Sequence, residues 1–74
     1  MVVDPKIRCK ELGDALDHNN NEYKFTLDLK KAVNFAQRHH CENIYHTIEW
    51  LAENSDRDWK VSKCKKALEK LTRF

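Results

Sequence analysis

Across 74 residues the chain is punctuated by a single glycine, Gly13, and a single proline, Pro5. That scarcity decides most of what it can become. Strands joined by tight turns need Gly, Asn-Gly or Pro signals at short intervals, whereas a chain rich in Ala, Leu, Lys and Glu favours helices. Hydrophobic residues make up 41% of the chain at regular spacing, too many for disorder. The length allows one domain, residues 1–74, near the lower limit for folding alone. Such a chain buries only about 60–65% of its unfolded surface and keeps a stability margin of a few kcal/mol.

Four segments have one apolar face each. Asp4-Pro5 is a helix start, with Asp4 as cap and Pro5 at the first helical position, where no donor is lost. Ile7, Cys9, Leu12, Ala15 and Leu16 then form a stripe to about His18, interrupted by Gly13. His18-Asn19-Asn20-Asn21-Glu22 reads as a polar loop. Tyr23 to Leu27 alternates apolar and polar residues and reads as an extended lead-in, with Thr26 or Tyr23 near the start of a second helix. That helix reaches about His40, with Leu29, Ala32, Val33 and Ala36 on one face. A third, about Glu42 to Glu53, shows Ile44, Ile48 and Leu51. Ser55-x-x-Asp58 then resembles a capping box. The fourth places Val61, Cys64, Leu68 and Leu71 at helical spacing, with Ala67 and Phe74 beside them. Stripes of this kind are buried only against each other, so the expected fold is all-α, a small bundle of three to four short helices.

Charge is distributed unevenly. Residues 55–74 hold seven Lys/Arg against three Asp/Glu, while the preceding 54 hold seven against nine. Lys63, Lys66, Lys70 and Arg73 follow one another at intervals of three, four and three, opposite the apolar stripe, with Lys60 and Lys65 at the sides. Three readings apply to this face. It is a solvated surface complementing the helix dipole, a docking surface for an acidic protein, or a set of phosphate contacts on DNA or RNA. In the last case Trp59 would stack on an unpaired base. A net charge of +2 is small for a dedicated nucleic-acid binder. Helices two and three have helix-turn-helix lengths. The would-be recognition helix, however, holds Glu42, Glu49 and Glu53 and neither Lys nor Arg.

Advancing each helix at 100° per residue leaves Phe35, Trp50 and Trp59 off their apolar stripes. Each ring either completes a core covered on two sides or belongs to an exposed aromatic patch that marks a partner or homodimer surface.

The three cysteines, Cys9, Cys41 and Cys64, are odd in number and evenly spread, unlike a disulfide scaffold. Nothing at the N-terminus resembles a signal peptide, and no apolar stretch approaches the ~18 residues that span a bilayer. A reducing, cytoplasmic or nuclear compartment and no membrane partner are expected. His39, His40, Cys41 and His46 are the one cluster with metal-ligand chemistry. Adjacent His39 and His40 point about 100° apart on a helix, and paired ligand spacing is missing. With no phosphate loop and no nucleophile–base–orienter set, neither enzyme activity nor a cofactor is expected.

Asn43-Ile44-Tyr45-His46-Thr47-Ile48-Glu49-Trp50-Leu51 is similar to the Asn-Val-x-x-Ala-Val-x-Trp-Leu pattern in the last helix of ubiquitin-associated domains. The Met-Gly-Phe/Tyr loop with which that family contacts ubiquitin has no counterpart upstream, and the family is not assigned. The function expected is that of a small non-enzymatic interaction or regulatory module, of the kind found among viral and bacterial accessory proteins. It would act through Trp50, Trp59, Lys60, Lys63, Lys66, Lys70 and Arg73 on a protein partner, self-association included. Nucleic-acid binding through the same helix is the alternative.

Overall fold

The computed structural model describes residues 4–71. They form the all-α bundle expected: α1 (Pro5–His18), α2 (Glu22–His39), α3 (Glu42–Asn54) and α4 (Asp58–Leu71). Arg73 and Phe74, assigned above to the basic face and to the flank of the fourth stripe, lie outside the described residues.

Local chemistry sets the helix ends. The Asp4 carboxylate accepts from the Lys6 N–H at 2.9 Å, with Pro5 opening α1. The extended lead-in at Tyr23–Leu27 is corrected by the cap at Asn21, whose side chain accepts from the Lys24 N–H at 3.1 Å and starts α2 at Glu22. The alternation there is helical: Phe25 turns inward and is fully buried, while Tyr23 and Leu27, four residues apart, share the solvent face. His40 ends α2 in the left-handed region at φ 53°, its N–H donating to the Ala36 carbonyl. That reversal places Cys41 at the cap of α3. The Ser55 hydroxyl accepts from the Arg57 N–H at 3.2 Å. α4 then grows from the Arg57 carbonyl, later than a cap at Ser55 implies.

Each of α1 and α4 packs on both α2 and α3, so α1 and α4 occupy opposite corners. Leu16, Phe25, Ile44, Ile48, Cys64 and Leu71 are sealed in the centre. Two inward lines differ from expectation. In α1 the buried residues are Cys9, Leu12, Gly13 and Leu16, leaving Ile7 exposed. In α4 they are Lys60, Cys64, Ala67 and Leu71, with Val61 and Leu68 half-buried at the edge. The helix is therefore turned by about 50°, roughly half a residue step, from the stripe read in the sequence.

Two links fasten α1 to the start of α3. Cys9 and Cys41 form a disulfide with Cα atoms 5.6 Å apart. The Asn43 amide donates to the Cys9 carbonyl at 2.8 Å. Gly13 makes the close approach workable, since a Cβ there would stand 3.0 Å from Asn43 Nδ2 and 3.6 Å from Thr47 Oγ1. The expectation of unpaired cysteines is thereby corrected: residues 32 apart in sequence are brought together by the α2 reversal, which sequence spacing alone does not report.

Candidate docking groove

α2 and α4 lie side by side and run the same way. Phe25 meets Trp59 and Lys60 near their starts, and Gln37 shares a wall with Lys70 near their ends. Between them is a groove of about 410 Å³ whose floor is Leu29, Val33 and Ala67. Lys30 rims it from α2, and Lys63, Lys66 and Lys70 from α4. Asn34 and Gln37 add neutral donors and acceptors, and among the described residues no lining side chain is acidic. An apolar trough edged by four ammonium groups suits a ligand that is apolar along one line and anionic on either side.

The residues singled out from sequence divide accordingly. Lys63, Lys66 and Lys70 meet in the groove, and Lys65 is exposed beside them. Lys60 is corrected. Only 3% exposed, it donates its ammonium proton to the Asn19 carbonyl at 3.1 Å and lies 5.0 Å from the centroid of Phe25. A lysine spent on closing the α1–α2 loop onto α4 is not available to a phosphate or a partner carboxylate. Asn19 in turn donates its side-chain amide to Asp28 at 2.8 Å, so the loop is tied to α2 as well.

The aromatics separate too. Trp59 is half-buried and edge-on to Phe25, centroids 5.4 Å apart at 71°. It sits one turn before Lys63 on α4, engaged with Phe25, and is not among the residues that line the groove. Trp50 is 56% exposed, on the α1/α3 side of the bundle. Phe35 is half-buried with its ring against His39, centroids 4.4 Å apart.

The histidine–cysteine cluster does not assemble as a ligand set. Cys41 is bonded to Cys9, which occupies the sulfur a metal or a substrate would need. Among the described residues no three His, Cys, Asp or Glu side chains gather at metal-binding distance. The remaining thiol, Cys64, is fully buried, and that burial pushes it up to about 11 against a smaller lowering by Lys60. It stays protonated at neutral pH and is a poor nucleophile. No helix of the described residues is long and apolar enough to cross a membrane.

Lys30, Asn34 and Gln37 were missed from sequence. They recur at four and three residues along α2 beside Leu29 and Val33, a legible polar edge. That this edge faces α4 depends on which helices are neighbours. Compared with protein-family models, curated proteins and solved structures, the chain matches none of them.

Proposed function

We propose that this protein is a non-enzymatic helical binding module whose α2/α4 groove takes an acidic, amphipathic helical segment of a partner protein. One observation supports this reading above the others: Lys30, Lys63, Lys66 and Lys70 surround a floor of Leu29, Val33 and Ala67, with no carboxylate among the described lining residues. Helix-in-groove recognition uses an apolar line for affinity and flanking charge for register. Nucleic acid is the weaker reading, because an apolar floor offers nothing to phosphates and Trp59 is engaged with Phe25.

The site of action is part of the proposal. A reducing, intracellular location carries Cys9 and Cys41 as thiols, and an oxidising one carries the bond. The redox state of these two residues in protein isolated from its source decides between them.

Fluorescence anisotropy tests the groove. The probe is a labelled helical peptide with Leu along one face and Glu flanking it; its Lys-for-Glu counterpart, a DNA duplex and a single-stranded RNA are the controls. The acidic peptide binds, its affinity falls with salt, and Lys66→Glu with Lys70→Glu abolishes it. Tighter binding of either nucleic acid, or indifference of the peptide to the two substitutions, overturns the proposal.

A further inference from the structure

The side of the bundle opposite the groove has the complementary chemistry. α1 and α3 lie alongside each other in the same direction, with Cys9 at Cys41 and Gly13 at Asn43 and Thr47. Further along, Asp14 and Asp17 of α1 meet the ring of Trp50 from α3 around a shallow hollow of about 390 Å³. Glu53, three residues after Trp50 and exposed, stands on the same helix face. α1 and α3 together hold three basic and six acidic residues, α2 and α4 nine basic and four acidic. The packing order puts these two pairs on opposite sides, so the molecule is electrically polarised across its width.

We propose that Trp50, Asp14, Asp17 and Glu53 form a second docking surface, and that its partner is the lysine-rimmed groove of another copy of this chain. The proposal rests on the reading of the groove as a seat for an acidic surface with an apolar centre. Trp50 supplies the large ring that interface centres favour, set over Leu29, Val33 and Ala67. Its flanking carboxylates face Lys30, Lys63, Lys66 and Lys70. A symmetric dimer through Trp50 would instead set carboxylates against carboxylates, which costs affinity. The head-to-tail contact is heterologous: every copy that uses one face leaves the other open, so association extends or closes into a ring. An acidic partner segment and a second copy compete for the same lysines, and self-association covers the groove until such a segment displaces it.

Sedimentation velocity on the full chain tests this with two variants, Lys66→Glu for the groove and Trp50→Ala for the opposite face. Circular dichroism checks that both are folded. The wild-type chain sediments as a concentration-dependent series at about 50 mM salt that dissociates at about 500 mM. Either variant alone is monomeric. Mixed in equal amounts they form a heterodimer and nothing larger, because one intact face of each kind remains. A wild-type chain that stays monomeric at low salt overturns the proposal, as does a Lys66→Glu variant that still self-associates or a mixture that forms no dimer. A monomeric wild type that still binds the acidic peptide sinks self-association alone, and loss of both sinks the groove reading with it.

Discussion

At Lys60 the ammonium lies over the ring of Phe25, 5.0 Å from its centroid, and donates to the Asn19 carbonyl at the end of α1. Five lysines belong to α4, and this one lies on the inward line. Long basic side chains bury their methylenes along apolar surface, and here the head is buried as well, against a carbonyl and an aromatic face. Lys60→Ala removes the stem beside Phe25 and leaves a carbonyl without its donor. The expected loss is about 2 kcal/mol, a fall of roughly 10 °C in Tm for a domain of this size. Lys60→Met keeps most of the volume and loses about half as much. Peptide affinity in Lys60→Met stays within about twofold of wild type, because the residue is absent from the groove rim. Thermal melts and anisotropy on the same samples check both statements, and a binding loss as large as that of Lys66→Glu contradicts the assignment.

Both boundaries of α1 were legible because their signals are local. Asp4-Pro5 fixed the start of α1, and the asparagine-rich loop marked its end, because those signals act within a turn of themselves. Tyr23–Leu27 misled because a period of two over five residues is shared by a strand and by a helix whose middle residue faces in. The inward lines of α1 and α4 were displaced for a different reason. Small and amphipathic residues, Gly13 and Lys60, sit on them, and a count of large apolar side chains passes over both. The Cys9–Cys41 bond belongs to this scale, since it joins α1 to the cap of α3 across a sequence separation of 32. Closing a loop of that length removes unfolded-state entropy equivalent to about 3–4 kcal/mol in the chain-entropy model, comparable with the whole margin of a small domain. Reduction, or Cys9→Ala with Cys41→Ala, is expected to lower the urea midpoint sharply, while Cys64→Ala in the oxidised protein serves as the cavity control. Coincident midpoints with and without reductant would show that the bond constrains nothing.

For the molecule as a whole, helix adjacency determines the site. The basic stripe of α4 was legible in the sequence as Lys63, Lys66 and Lys70. Its completion by Lys30, and the apolar floor that turns a charged face into a groove, arise only because α2 is the neighbour. The same adjacency gathers Trp50 with Asp14 and Asp17 on the far side. In the sequence the ring already lies off its stripe, but nothing there gathers the carboxylates around it. The most direct measurement of the central claim is a titration of isotope-labelled protein with the acidic amphipathic peptide, followed by amide chemical shifts at about 50 mM salt and at a protein concentration low enough to keep the chain monomeric. The account predicts the largest shifts along Thr26–Gln37 of α2 and Lys63–Lys70 of α4, with α1 and α3 nearly unmoved. Shifts centred on Trp50 and Asp14, or none at all, would contradict it.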